Sequence, residues 1–440
     1  MTRDAQEQEV TGASAESVAL YDQAVHAFTL VCGDAVRLFD AAHAASPAFV
    51  MAYLAKAWAF ALARDPAFGG MIRGLIDTAA PLPMNERERA HLTALRHTQA
   101  GALHAAVLIL DRHLMRCPHD TVAHQVAMLL DLQQGRVRWM RDRAARALPL
   151  WSASMPGHLM LRAFHAFGLE ENGDYARAED ESRAVLDAEP LMHWPHHTVS
   201  HVMEMTGRPE DGLAWMSTRE ASWSTKGHVN QAHIWWHKAL FHLELGQHGA
   251  ALALYDGPIR ATQRPLGVSM TNASALLWRL DTLGHDVGER WAEVLPLWEG
   301  HADGRHGVFN DLHAAMAELR SGREALTEQR LATMRETAAG EGEAAATYRA
   351  VGVPLIEGLM AFHRNAHEQA VALLLPARFD LWRIGGSHAQ RDVVDWTLTE
   401  AALRGGFRDV ALSLAHERLG ARPRSAVNAS FLERAERMPA

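Results

Sequence analysis

Between His193 and Glu244 the chain carries eight histidines and five tryptophans within about fifty residues. The first half reads H-W-P-H-H-T-V-S-H-V-M-E-M-T-G-R. The second reads H-V-N-Q-A-H-I-W-W-H-K-A-L-F-H-L-E. On a helix His197, His201 and Glu204 stand at i, i+4 and i+7, a single stripe, and His233 and His237 form another i, i+4 pair. Imidazole and carboxylate suit Zn²⁺ or another first-row divalent metal, which gives His197, His201, His233 and His237 as a candidate ligand set. Without a metal the same groups can do general acid–base work, since histidine titrates near neutrality. On that reading His201, His237 and Glu204 are the catalytic candidates. Two later stretches carry similar chemistry. F-N-D-L-H contains Asn310, Asp311 and His313, and G-G-S-H-A-Q-R-D contains His388 and Arg391. Ser387 there is placed to cap a helix, and the Arg391 guanidinium suits a carboxylate or phosphate.

The elements that position these residues are helices. The chain has 440 residues, 48% of them apolar, is rich in Ala, and has no runs of β-branched residues. Its turn glycines recur at repeat spacing. Gly101 to Gly135 and Gly173 to Gly207 are steps of 34, Gly135 to Gly173 is 38, and Gly207 to Gly246 is 39. Small and large residues recur with them: Ala35, Phe39, Ala42 and Pro47, then Ala106, Leu110 and Pro118, then Ala178 and Pro190, then Ala411 and Pro423. Further helix pairs are expected to turn near Gly322 and Asn365. Each such pair is an amphipathic hairpin that needs its neighbours to complete a core. The spacing therefore predicts an all-α, irregular tetratricopeptide-like α-solenoid of helix-turn-helix repeats over 15–436, curved around a concave groove. Residues 1–14 are expected to be a disordered tail.

Five phrases go beyond a generic repeat: F-H-A-F-G-L-E-E-N-G-D-Y (164–175), H-T-V-S-H-V-M-E-M-T-G-R (197–208), W-W-H-K-A-L-F-H-L-E-L-G (235–246), F-N-D-L-H-A-A-M-A (309–317) and G-G-S-H-A-Q-R-D (385–392). In this order and spacing they resemble the tetratricopeptide repeat protein 38 family, over nearly the whole chain. The resemblance implies a helical-repeat fold and specifies no reaction. It also implies that first-helix positions 2, 5, 6, 9, 12 and 13 face the groove. His197, His201, Glu204, His233, His237, Glu244, His313 and Glu170 fall on such positions. With Asp311, His388 and Arg391 they make up the expected ligand-binding set, while His165, His196 and His242 fall at packing positions.

Composition narrows the partners. A net charge of -9 without a basic stripe argues against nucleic acid. Two distant cysteines, Cys32 and Cys117, exclude a disulfide framework or a thiolate metal site. The first residues contain no apolar stretch of signal-peptide type, and no segment is long and apolar enough for a membrane span, so a cytoplasmic location is expected. H-E-x-x-H, G-x-S-x-G and phosphate-loop motifs are absent. The expected function is a His/Glu-lined groove that binds a small molecule or a divalent metal such as Zn²⁺, and whether it catalyses a reaction is left open. The alternative is a non-enzymatic scaffold that holds a peptide or protein in the groove. A homodimer through end repeats is compatible with either.

Overall fold

The computed structural model describes residues 2–439. Successive helices form antiparallel hairpins, the all-α arrangement of a tetratricopeptide-like solenoid. They group into two compact units, one of residues 1–199 and 221–230, the other of residues 200–220 and 231–440. None of the described helices is long and apolar enough to cross a membrane.

The turn signals in the sequence have a direct backbone reason. Gly101, Gly135, Gly173, Gly207, Gly246, Gly322 and Gly406 all adopt positive φ between the two helices of a hairpin. Glycine enters that region without the Cβ penalty. At the equivalent turn between Val353–His363 and His367–Ala377, Asn365 takes φ 58, which asparagine adopts more readily than most larger residues. The small residues that marked the repeats, Ala42, Ala106, Ala178 and Ala411, are fully buried on second helices. They let the paired helices approach closely.

In the first unit the core runs from Val10 and Tyr21 through Trp58 to Leu130, with a second cluster around Phe164, Phe167 and Trp194. The expected disordered tail is instead structured. Thr2–Arg3 pairs antiparallel with Glu9–Val10, and buried Asp4 meets Arg87 at 2.6 Å (Met1 lies outside the described residues). The apolar signal of this segment is one buried residue, Val10. What holds it is an ion pair with a partner 83 positions away, which no local pattern announces. The connector 221–230 also belongs to this unit, where Gly33 N–H donates to Gly227 O at 2.8 Å and Val229 N–H to Val31 O at 2.8 Å.

In the second unit the helices Gln231–Glu244, Gly267–Thr282, Val308–Arg320 and His388–Arg404 are buried along most of their length. Ser387 caps the last of these in a reciprocal capping box with Gln390, as its position suggested. Trp396, Ala415, Val427 and Phe431 form an apolar cluster with the C-terminal helices Arg408–Ala421 and Ala426–Glu436.

Several histidines serve the fold. Burial pushes His124 and His313 down to about 4, although each bonds a backbone carbonyl, Pro118 O and Phe309 O respectively. Unfolded, both titrate near 6.5, so below that pH the unfolded chain binds more protons. Stability is therefore expected to be level above pH 6.5 and to fall towards pH 4, by about 1.4 kcal/mol per pH unit per imidazole. Urea titrations at several pH values read this slope, and His313→Asn should reduce it by about one proton. Close packing gives a second expectation. A Cβ on Gly168 would lie 2.5 Å from the Arg141 backbone nitrogen. Gly168→Ala, stabilising in an exposed helix, should here cost about 1–3 kcal/mol of stability through overpacking, read as a lower denaturation midpoint.

Candidate functional site

The helix Gln231–Glu244 places His233 and His237 one turn apart, both buried. Asn272, on the neighbouring helix Gly267–Thr282, uses its Nδ2 to donate to Ser269 O at 2.9 Å. Its Oδ1 is thus an acceptor, and His233 Nδ1–H donates to it at 2.8 Å. That fixes the His233 tautomer and leaves a lone pair on Nε2. Burial holds His233 down to about 4, against the pull of the Asn272 bond and with a push from His201. Trp236 lies flat on the ring at 5.4 Å.

His233 Nε2 points at His237 Nε2, 3.3 Å away. The opposite nitrogen of His237, Nδ1, faces Glu204 Oε2 at 3.6 Å. His201 packs against His237 with ring centroids 4.6 Å apart, and a nitrogen of each lies within 4.8 Å of the other. His388 meets His201 edge-on at 5.1 Å. The second unit therefore gathers His201, His233, His237, His388 and Glu204, five of the residues expected from sequence. The groove reading placed them on an accessible face. Instead His201 is 0% and Glu204 8% exposed.

Glu204 connects this set to a charge cluster. Burial pushes its carboxyl up, while Arg422, donating to Oε1 at 3.2 Å, pulls it down. Arg422 also reaches Glu244 at 3.6 Å and Asp392 at 3.4 Å. Asp392 receives Arg418 at 2.9 Å as well, and Arg279 stands 3.8 Å away. Burial opposes the charge on Asp392, but the three guanidinia hold it well below the usual carboxylate range. Burial brings Arg279 down to about 10 in spite of Asp392 and Glu204. Three cations and three carboxylates thus balance. A cavity of about 20 Å³ lies among Glu204, Glu244, Arg279, Asp392 and Arg422. It is large enough for a water and far below the volume that a small organic ligand needs.

The remaining expected residues fall elsewhere. Asp311 accepts from Tyr348 Oη at 2.6 Å, Gly304 N–H at 2.8 Å and Arg330 at 3.2 Å, a structural network. His313 bonds its own helix, and the Arg391 guanidinium turns back to Gly386 O. Glu170 and His197 belong to the first unit, where His197 lies edge-on to Phe167 at 5.0 Å and stacks on His193 at 5.6 Å. Of the expected packing residues, His196 is buried on Pro190 O. His165 and His242 are half-buried and bond Glu181 and Gln247.

Asn272, Arg279, Arg418 and Arg422 were not singled out from the sequence. Gly284 turns at φ 88 at the end of the helix carrying Asn272 and Arg279, so the turn signal that found other hairpins also marks this one. Arg422 precedes Pro423, the repeat-ending proline.

A second acid–imidazole group, His91, His113 and Asp120, lies in the first unit with ligating atoms within 4.8 Å. Its lone pairs are committed. Trp58 Nε1–H donates to His91 Nδ1 at 3.0 Å, so His91 Nε2–H donates to Asp120 at 3.0 Å. His113 at 2.9 Å and Arg87 at 2.8 Å complete the carboxylate, which also caps the helix Thr121–Leu132. This group is a structural anchor.

No family model matches the chain. Among solved structures it is similar to a chain of the APC/C hetero-tetramer Cut9–Hcn1, with a TM-score of 0.44 and 11% identity over 96% of this chain and 76% of that one. It is also similar to human IFIT1 in a dimer with m7Gppp-AAAA, with a TM-score of 0.42 and 13% identity over 88% of this chain and 90% of that one. A monomeric mutant of IFIT1 with Gppp-AAAA gives 0.40 and 12% identity over 97% and 96%.

Proposed function

We propose that the second unit binds a divalent transition-metal ion between His233 and His237. The observation that carries this is the 3.3 Å separation of the two Nε2 atoms, with His233 Nδ1 bound to the Asn272 amide oxygen at 2.8 Å and His237 Nδ1 facing Glu204 Oε2 at 3.6 Å. Two imidazoles bound tetrahedrally at about 2.0–2.1 Å put their nitrogens about 3.3–3.4 Å apart. An Nδ1–H donated to an amide or carboxylate oxygen is the usual outer-sphere support for a metal-bound histidine.

An imidazole-rich set favours Zn²⁺, Ni²⁺, Cu²⁺ or Fe²⁺ over Mg²⁺ and Ca²⁺. Two imidazoles leave further positions for water or a small ligand, as a Lewis-acid centre requires. His388, the half-buried member of the set, adjoins His201 and is the neighbour suited to proton exchange there.

Protein purified without a His tag should contain about one equivalent of transition metal by elemental analysis, and Co²⁺ loading should give the visible bands of a tetrahedral site. His233→Ala and His237→Ala should each abolish stoichiometric binding, and Asn272→Ala should weaken it about 10–100-fold. His313→Asn should leave it intact. If wild-type protein takes up no metal, the cluster is a buried hydrogen-bond network, and peptide docking on a helical-repeat scaffold becomes the better reading.

A further inference from the structure

We infer that Arg422 is a positioning residue of this metal centre, and that through it metal occupancy is coupled to docking of the C-terminal helices. The inference rests on the metal reading above. Glu204 has one oxygen towards His237 Nδ1 and the other on Arg422. A carboxylate held at one oxygen by a buried guanidinium cannot rotate freely, so Arg422 sets where the charge 3.6 Å from His237 Nδ1 stands. A carboxylate beside Nδ1 in turn favours the ring orientation that turns Nε2 towards His233.

Arg422 lies directly after the helix Arg408–Ala421 and before the helix Ala426–Glu436. The same segment is fastened at a second point on the ligand-bearing helix. Ser425 Oγ donates to the Glu244 carboxylate at 2.8 Å, and Val427 N–H donates to it at 3.4 Å. Glu244 is the last residue of Gln231–Glu244, where the helix dipole disfavours a carboxylate that has no donors. The helix carrying His233 and His237 therefore ends on the C-terminal segment, and the acceptor of His237 is gripped by that segment. A cation that orders His237 orders Glu204, and an ordered Glu204 holds Arg422. By linkage the effect is reciprocal, so a docked C-terminal segment tightens metal binding by the factor with which metal tightens docking.

The full chain tests this. Zn²⁺ affinity is measured by competition with a chromophoric chelator, and hydrogen–deuterium exchange is followed in residues 408–436 with and without Zn²⁺. In wild type, Zn²⁺ should slow exchange of that segment. Arg422→Ala should weaken Zn²⁺ affinity about tenfold or more and abolish the slowing. Arg422→Lys, which keeps a cation near Glu204, should recover part of both. Arg437→Ala, which removes only an exposed ion pair to Glu433 one helical turn away, should change neither. Zn²⁺ binding by wild type without any change in exchange of 408–436 overturns the coupling, with no variant needed. Wild-type affinity in Arg422→Ala overturns the positioning role. Failure of wild type to bind Zn²⁺ overturns the metal reading itself, and this inference with it.

Discussion

A carboxylate withdrawn wholly or largely from water must be met by donors, and each unit of this protein is fastened around one such group. In the second unit Asp392 gathers Arg418 from the helix Arg408–Ala421, Arg422 from the residue after it, and Arg279 from a helix far earlier in the chain. In the first, Asp120 gathers Arg87, His91 and His113 and caps a helix as well. Removing a donor from such a group costs more than any exposed ion pair contributes, because the charge left behind is buried. Stacked hairpins bury apolar faces against neighbours with little preference for one register over another. A convergent charge network does discriminate, since its geometry is satisfied in one arrangement.

The two acid–imidazole clusters show how one composition supports different roles. In the first unit the indole of Trp58 occupies the lone pair of His91, so every imidazole nitrogen that faces the carboxylate does so as a donor. In the second, Asn272 takes the Nδ1 proton of His233 and leaves a lone pair on the other nitrogen, which faces His237. A single neighbour, donor in one case and acceptor in the other, decides whether the histidine presents a proton or a lone pair to its cluster.

The charge cluster beside the imidazoles has a small cavity, with room for water among the guanidinia, the carboxylates and the side chains of Leu240, Leu243 and Trp396. Its size removes the organic small molecule from consideration at that point. A bound ion and a water are ligands that a buried set of this kind can hold without opening the helices around it.

Much of the architecture was legible in the sequence because its causes are local. A hairpin turn with positive φ needs glycine, or asparagine as at Asn365, and a tight helix pair needs alanine, so both periods are printed in the chain. Helical spacing likewise puts His233 and His237 on one face of their helix, and His201 and Glu204 on one face of theirs. Which nitrogen each imidazole presents was not legible. That depends on Asn272, 39 residues from His233, and on Arg422, 218 residues from Glu204. The ordered N-terminal hairpin was missed for the same reason, since its anchor is Arg87. Periodicity records what a residue's own helix requires. Tautomer, charge state and burial depend on groups that only tertiary packing brings within hydrogen-bond distance, and those decide whether a run of histidines is packing or a site.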